Sequence, residues 1–196
     1  MTRDETERDT CTCYPVLPLT PAGGWTLDNL PLADLPKRTE LIRGVLVMNP
    51  QTSWHMEAVS VLQRLIDGQC PPQYMTQYRM AIRKSPRTVP EPDISIVHAG
   101  AVDLDKSVYL PEEVLLAAEV ITPESEERDR EDKPVIYGAM GIPTFWLIEM
   151  GEDLSPIVHE HYLYAGVYKR MRTHIGRLTT EVPFPIDIPL ANPARR

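Results

Sequence analysis

The pattern of apolar and polar positions is most informative between residues 114 and 148. An apolar run over 114–121 contains one charge, Glu119, and is followed by a polar loop and a charged segment with helical spacing. A second apolar run over 144–148 closes the unit. Short apolar runs on both sides of a helical segment predict strand, helix, strand. Because a carboxylate inside a buried strand is costly without a partner, Glu119 is the first candidate functional residue.

Similar patterns predict the other elements of the chain. Apolar positions recur at helical spacing from Ser53 onward, and Gly68 is placed to end that helix. The remaining predicted elements are a short helix at 26–30, a hairpin over 38–48 that turns at Arg43-Gly44, strands over 74–84 and 90–97, a polar connection over 98–111, and a strand-rich region from Ile157 with a turn at Gly166. This order predicts an α/β (α+β) fold in which one mixed sheet carries flanking helices.

Length and composition predict a single domain with an N-terminal extension. The chain has 196 residues, and 42% of them are hydrophobic, which is enough for one ordinary core. Residues 1–12 are polar and are predicted to be disordered, and prolines punctuate the stretch that ends at Pro36. We therefore predict an extension over 1–36 and a domain over 37–196. Trp25 and the leucines of the extension are expected to pack on the domain or on a second subunit.

Charge and cysteine content restrict the expected compartment and partners. Three cysteines form no disulfide framework, which favours a reducing cytoplasm. No apolar run is long enough for a membrane span, and the charged N-terminus is unlike a signal peptide. The net charge of -8 argues against a nonspecific nucleic-acid coat. It is compatible with an acidic site that holds a divalent cation while basic side chains elsewhere meet phosphate.

Two carboxylates are candidates for a metal site. Asp93 belongs to a predicted strand in which Ile94 and Ile96 alternate with a serine, and Glu119 belongs to the next long strand. If these strands are neighbours, the two carboxylates repel each other unless a cation lies between them. Mg²⁺ prefers oxygen ligands and is typically held by one or two carboxylates. The backbone carbonyl of Val120 would offer a further ligand.

A basic residue follows the second carboxylate at helical spacing. Lys133 lies three positions after Arg130 and four positions before Tyr137, which predicts that all three share one helical face. If that face leans over the strand ends, the Lys133 ammonium reaches the carboxylates. A point charge there would stabilise the charge that develops at a phosphorus atom, or orient the attacking water.

These stretches together resemble the Uma-type family of predicted restriction endonucleases, a branch of the PD-(D/E)xK nuclease superfamily. The matching stretches are TELIRGVLVM, the helix that contains His55, EPDISIV, AAEVITPESEERDREDKPVIYGAMGIPTFWLIE and FPIDI, in this order from Thr39 toward the C-terminus. The resemblance implies a restriction-endonuclease-like fold and metal-dependent hydrolysis of DNA. It places Pro92-Asp93 at the PD position and Glu119-Val120-Ile121 at the (D/E)xK position.

The chain departs from the superfamily pattern at the lysine. Ile121 stands where the pattern has lysine, and the resemblance implies that Lys133 on the following helix supplies the ammonium instead. The hairpin turn reads Arg-Gly-Val where the family usually has Asp-Gly-Glu. Pro134 follows Lys133, and because proline is tolerated in the first turn of a helix, the helix is predicted to begin near Asp132.

Further candidates have both a structural and a functional interpretation. Glu40 is either a surface residue or, by the resemblance, a supporting residue of the metal site. His55 is expected to cap or pack, on a helix that borders the cleft. His159 and His161 share one strand face, for which solvent exposure is favoured over metal binding. A basic cluster before Asp93 is either a solvated hairpin or a phosphate-facing ridge; its members are Arg79, Arg83, Lys84 and Arg87.

Three functions follow as hypotheses. The first is a DNA endonuclease that requires Mg²⁺ or Mn²⁺, in which Asp93, Glu119 and Val120 hold the metal and Lys133 assists the chemistry. The second is an inactive nuclease-like module that binds nucleic acid or a protein partner through the same cleft. The third is a structural homodimer built on the N-terminal arm. Metal binding discriminates the first from the others, and a homodimer is expected in the first as well.

Overall fold

The computed structural model describes residues 20–30 and 39–194. The polar segment 1–12 and the predicted boundary at Pro36 therefore lie outside the described residues. The strands are β1 (Thr39–Ile42), β2 (Val45–Met48), β3 (Tyr74–Tyr78), β4 (Ala81–Ile82), β5 (Ile94–His98), β6 (Val108–Tyr109), β7 (Val114–Val120), β8 (Thr144–Met150), β9 (Pro156–Tyr164), β10 (Val167–Ile175), β11 (Arg177–Thr180) and β12 (Ile186–Pro189). The helices are α1 (Ser53–Asp67) and α2 (Lys133–Gly138), with short 3-10 turns at Leu27–Asn29, Ala99–Ala101 and Pro111–Glu113.

A mixed six-stranded sheet forms the centre of the domain, in the order β10-β9-β8-β7-β5-β3. Strands β7 and β8 run parallel, and the other neighbours in this sheet are antiparallel. The parallel pair requires a crossover, which the segment containing α2 supplies. The predicted strand, helix, strand unit is thus confirmed, and so is the predicted mixed sheet.

The two faces of the sheet are covered by different elements. Helix α1 buries Ala58, Val59, Leu62 and Ile66 against one face, at the spacing of an amphipathic helix. On the other face, Ile136 and Tyr137 of α2 are buried, and Tyr137 joins a second apolar cluster. Among the described residues, no helix combines the length and the apolar character that a membrane span requires.

The hairpin of β1 and β2 forms as predicted, with its turn at Arg43-Gly44. Both turn residues have positive φ, 52° at Arg43 and 82° at Gly44. This combination matches a two-residue hairpin turn whose twist suits the flanking strands. The hairpin matters for function because it carries Glu40, which is buried, into the domain interior.

The single strand predicted over 74–84 is wrong. Strand β3 ends at Tyr78, Arg79 adopts a left-handed φ of 51°, and β4 then leaves the central sheet to pair in parallel with β6. A left-handed residue turns the chain and ends the extended conformation. The apolar pattern alone does not show this break, because both short strands alternate in the same way.

The helical segment before β8 begins earlier than Asp132, which corrects the predicted start. A π-helical stretch, Arg128–Asp132, leads directly into α2. Pro134 gives the physical reason. A proline lacks an N–H donor, and its ring clashes with the carbonyl four residues earlier in a regular α-helix. A wider π turn before Pro134 relieves that clash and keeps the helix continuous.

Residues 20–30 of the N-terminal segment pack on the domain itself. Trp25 is buried against Leu41 and Val89, and its backbone N–H donates to the carbonyl oxygen of Gly44 at 2.8 Å. The short helix predicted at 26–30 is present as the 3-10 turn Leu27–Asn29. Residues of the predicted extension thus help to fix the hairpin that carries Glu40.

We expect Trp25→Ala to destabilise the domain. Trp25 is only 5% exposed, and removal of a buried tryptophan side chain typically costs about 3 to 5 kcal/mol of unfolding free energy. Urea denaturation followed by circular dichroism measures the change. Leu104→Ala is the matched control, because Leu104 is 98% exposed and its truncation should change stability by less than about 0.5 kcal/mol. Equal stabilities of the two variants would show that Trp25 packing is dispensable.

Candidate active site

The structure brings Asp93 and Glu119 to the same place. In the antiparallel pair of β5 and β7, Ile94 lies opposite Ala118. Asp93 directly precedes Ile94, and Glu119 directly follows Ala118, so both lie at the same end of this strand pair. Side chains of directly opposed residues point to the same face of a sheet and lie about 5 Å apart at Cβ. Both carboxylates are buried. The prediction that these two acids come from neighbouring strands is confirmed.

Three donors hold the carboxylate of Asp93. Its Oδ2 accepts from the backbone N–H of Val120 and from Nε2 of His55, each at 2.9 Å. Its Oδ1 accepts a longer bond of 3.3 Å from Nε2 of Gln51. Because the carboxylate is the acceptor, the proton of the His55 ring lies on Nε2. The expectation that His55 caps its helix is wrong, because Thr52 is the N-cap; the His55 ring instead fixes the orientation of Asp93.

A fully buried ammonium links the second carboxylate to the hairpin. Lys133 Nζ donates to Glu119 Oε1 at 2.8 Å and to Glu40 Oε2 at 2.6 Å. Burial alone would lower the pKa of Lys133, but the charges of Glu119 and Glu40 outweigh burial and raise its pKa above the ordinary value. Lys133 is therefore a permanent cation in this site.

Tyr137 completes the environment of Glu119. Its hydroxyl donates to Glu119 Oε1 at 2.5 Å from one helical turn beyond Lys133. Burial raises the pKa of Glu119 well above its usual range, although Lys133 opposes this effect. Burial and the negative charge of Glu119 also raise the pKa of Tyr137, so the phenol keeps its proton. Among the described residues, no hydrogen bond reaches the other oxygen of Glu119, Oε2.

The π-helical stretch separates residues that were predicted to share one face. Lys133 and Tyr137 point into the site, whereas Arg130 pairs outside it with Glu126 at 3.0 Å and with Glu149 at 2.5 Å. A turn with a wider repeat no longer aligns positions three apart. The prediction that Arg130 lies beside Lys133 is therefore wrong.

Sequence reasoning missed Asp129, which is also buried next to the site. Burial raises the pKa of Asp129 to about 6, although Lys133, Ser125 and Arg128 lower it. The charge of Asp129 contributes in turn to the raised pKa of Glu119. Within a run of charged residues, nothing in the sequence distinguishes this aspartate from its exposed neighbours.

The missed polar contacts come from the loop between β2 and α1. Asn49 donates from Nδ2 to Glu40 Oε1 and accepts from Arg128 Nη2 at 2.5 Å. Gln51 contacts Asp93 in the same way and accepts from Arg79. A short polar loop before a helix gives no signal for this role.

The other predicted basic residues lie apart from the carboxylates. Of the basic cluster, only Arg79 joins the network, through Gln51. Arg87 packs on the turn of the β1–β2 hairpin, where its Nη2 donates to the carbonyl oxygen of Arg43 at 3.4 Å. Arg83 and Lys84 are exposed and line a depression beside Leu110. Their contact with nucleic acid stays a prediction.

The two histidines of β9 have protein partners, and His159 is buried, which contradicts the solvent exposure favoured from the sequence. His159 contacts Glu149 Oε1 at 2.6 Å and the hydroxyl of Thr173 at 2.9 Å. The ring of His161 lies tilted by 40° against that of Phe145, at a centroid distance of 5.7 Å. In the part of the chain that the structure describes, no three histidine, cysteine or acidic side chains cluster as metal ligands.

Acidic groups outnumber basic groups at the site. Five acidic side chains and three permanent cations lie in this network; the acids are Glu40, Glu91, Asp93, Glu119 and Asp129, and the cations are Arg79, Arg128 and Lys133. The donor chemistry suits a hard divalent cation, which takes oxygen ligands and keeps part of its water shell. The assignment of Asp93, Glu119 and the Val120 carbonyl as its ligands stays a prediction.

We expect Asp129→Asn to stabilise the metal-free protein at neutral pH. The pKa of about 6 in the folded state lies above the ordinary 3.8, so the protonated form is favoured by folding. That stability is fully present below about pH 4 and is lost as the pH rises through 6. Near pH 8 the variant should gain at most about 3 kcal/mol, and the gain should vanish on acidification.

Urea denaturation in EDTA across this pH range measures the difference between the two proteins. Asp105→Asn, a substitution at an exposed position, is the matched control and should follow wild type at every pH. An increase in the free energy of unfolding that is independent of pH would contradict the prediction that burial disfavours the ionised form of Asp129.

Comparisons with known proteins agree with this architecture. A family model described as "Uma2: Putative restriction endonuclease" matches residues 27–185. The fold is similar to a crystal structure from Anabaena variabilis ATCC 29413, described as a putative nuclease belonging to DUF820, with a TM-score of 0.64. That similarity covers 86% of this chain and 96% of the other at 16% identity, which shows the fold alone. No curated protein matches the chain.

The family model supports the resemblance first inferred from the order of the motifs. It spans most of the chain and includes every residue of the site from Glu40 to Tyr137. The structural similarity independently confirms a restriction-endonuclease type of fold. The chain therefore belongs to the Uma2 family, whose members are described as putative restriction endonucleases.

Proposed function

We propose that this protein is a divalent-metal-dependent endonuclease that hydrolyses phosphodiester bonds of DNA. One observation carries the proposal. Asp93, immediately before β5, and Glu119, on the neighbouring strand β7, are two buried carboxylates close enough to interact, and the ammonium of Lys133 is bonded to Glu119 at 2.8 Å. Burial of charged groups costs desolvation free energy, and a buried ion pair is often no more stabilising than apolar residues of similar size. A functional role therefore accounts for a buried carboxylate and a buried ammonium better than a purely structural role does.

Each residue of the site has a distinct proposed role. Asp93, Glu119 and the carbonyl of Val120 would hold Mg²⁺ or Mn²⁺. The bound ion would polarise a phosphoryl oxygen and acidify a water molecule. Lys133 would stabilise negative charge that develops on the phosphoryl group, since its ammonium is fixed before the reaction and needs no reorganisation. Tyr137 donates to Glu119 Oε1, so Oε2 would be the oxygen that Glu119 offers to the ion.

The position of Lys133 explains the isoleucine in the (D/E)xK pattern. Ile121 packs beside the apolar cluster of α2, where an ammonium would lack partners. Lys133 instead enters from the helix and finds Glu40 and Glu119. The partner supported best is DNA, because the acidic site needs a substrate with phosphate oxygens that a metal and a lysine share. A homodimer stays part of the proposal, and its test is the mass in solution.

Cleavage of supercoiled, linear and single-stranded DNA tests this function. We expect nicking or linearisation of supercoiled DNA in Mn²⁺ and none in EDTA. Lys133→Met should lose cleavage, because it removes an interaction that is stronger in the transition state. Lys169→Met is the control, since Lys169 lies on β10 over the ring of Tyr164, away from the site.

The stability of the Lys133 variant needs its own measurement. Removal of one partner of a buried ion pair costs about 3 to 5 kcal/mol. Mn²⁺ should restore part of that loss, because it replaces the missing positive charge. Undiminished cleavage by a folded Lys133→Met protein would refute the assigned role, and an inert wild type would favour the binding-module hypothesis.

A thermal-shift experiment tests the metal separately from catalysis. Mg²⁺ or Mn²⁺ should raise the melting temperature of wild type, because a ligand that binds only the folded state stabilises it. Glu119→Gln should abolish the shift while preserving the shape of the side chain. Glu112→Gln, on an exposed 3-10 turn, should leave the shift unchanged. The same metal shift in Glu119→Gln as in wild type would show that the ion binds elsewhere.

A further inference from the structure

Two arginines are connected to the site carboxylates through side-chain amides. In the first relay, Arg128 Nη2 donates to Asn49 Oδ1 at 2.5 Å, and Asn49 Nδ2 donates to Glu40 Oε1. An arginine can only donate and a carboxylate can only accept. The orientation of the Asn49 amide is therefore fixed by its neighbours, with oxygen toward Arg128 and nitrogen toward Glu40.

The second relay repeats this arrangement on the other carboxylate. Arg79 Nη1 donates to Gln51 Oε1 at 3.4 Å, and Gln51 Nε2 donates to Asp93 Oδ1 at 3.3 Å. Both amides come from one short loop, the Asn-Pro-Gln sequence at 49–51. One loop thus joins two acids of the site to two guanidinium groups.

Both arginines keep donors that the protein leaves unsatisfied. The Nε atoms of Arg79 and Arg128 are buried without a hydrogen-bond partner among the described residues. Each has only a longer ionic contact, 3.6 Å to Glu91 for Arg79 and 3.9 Å to Asp129 for Arg128. Their side chains are 9% and 19% exposed. A buried charged donor without a partner is unfavourable, so nearby negative charge would stabilise either guanidinium group. Because each Nε is closed to solvent, a phosphate would meet the outer Nη atoms.

We propose that Arg79 and Arg128 bind backbone phosphates of DNA next to the site carboxylates, an inference that rests on the proposed function. The guanidinium fork matches the geometry of phosphate oxygens and is held rigid here by its amide contact. The charge balance supports the same ligand class. Without Arg79 and Arg128, only the ammonium of Lys133 would oppose the acidic side chains of the site, so the two guanidinium groups reduce the repulsion of a polyanionic strand.

A structural role is the alternative that the test must separate. On that alternative, the arginines would only hold Asn49 and Gln51 so that the carboxylates stay in place. Loss of an arginine would then weaken folding or metal binding without changing the number of phosphates that the protein contacts. The salt dependence of DNA binding distinguishes the two, because each neutralised phosphate contributes about 0.9 to the slope of log K against log salt.

The experiment is fluorescence anisotropy with a labelled DNA duplex over a range of salt concentrations. It is run in EDTA and again in Ca²⁺, with a gel to verify that the duplex stays intact. Arg79→Gln and Arg128→Gln should each weaken binding about tenfold and lower the slope by about one. The double variant should lower it by about two. Arg177→Gln is the matched control, since Arg177 is exposed on β11 and paired with Asp187.

Arg→Lys variants at both positions test the phosphate contact if the glutamine variants fold poorly. Lysine keeps a point charge for phosphate but loses the planar fork, so the slope should stay near wild type while affinity falls. Slopes equal to wild type in all folded variants, or no wild-type binding in either buffer, would overturn the proposal. Cleavage with unchanged slopes would refute this inference alone, whereas altered slopes without cleavage would refute the nuclease and keep the DNA contacts.

Discussion

The buried ammonium of Lys133 is the interaction on which the rest of the site depends. It binds a carboxylate from the hairpin and a carboxylate from the central sheet, which are 93 and 14 positions away along the chain. Without it, Glu40 and Glu119 would face each other as two uncompensated charges in a medium of low polarity. The position of the hairpin and the ionisation of the site are thus set by one side chain.

The surrounding elements are arranged to keep that cation in place. Pro134 and the π-helical stretch set the rotation of α2, so that Lys133 and Tyr137 face inward together. Trp25 fixes the hairpin from the outside, and the hairpin in turn delivers Glu40. Packing far from the carboxylates therefore contributes directly to their geometry.

The sequence was sufficient to predict the role of residues whose side chains are unusual in their local sequence, such as a charged residue in an apolar run. Glu119 in an apolar run and the order of the motifs predicted the fold, the paired acids and the helical lysine. Asp129 and Asn49 gave no such signal, because a charged stretch and a polar loop are the ordinary settings for these residue types. The predicted position of Arg130 is wrong because it depends on a regular α-helical repeat, whereas the segment before Pro134 forms a wider π turn.

The periodic pattern of apolar and polar residues does not predict contacts that depend on an irregular backbone conformation. The break at Arg79 follows from a left-handed φ, which no alternation of apolar residues encodes. The same residue then supplies one of the two amide-linked guanidinium groups. An irregular backbone position and a polar contact arise together here, and only the folded chain shows either.

The π-helical stretch also limits how this part of the protein can change in length. A π turn holds about one residue more than an α-helical turn, so deletion of one residue within Arg128–Asp132 would shift it toward the regular repeat and change the contacts of the segment that precedes α2. Tyr137 and Ile136 are buried and hold α2, so Arg128 and Asp129 would be the residues carried away. Insertions and deletions here should be far rarer among relatives than in the exposed loop around Leu104, because the number of residues in this stretch determines which side chains face the site.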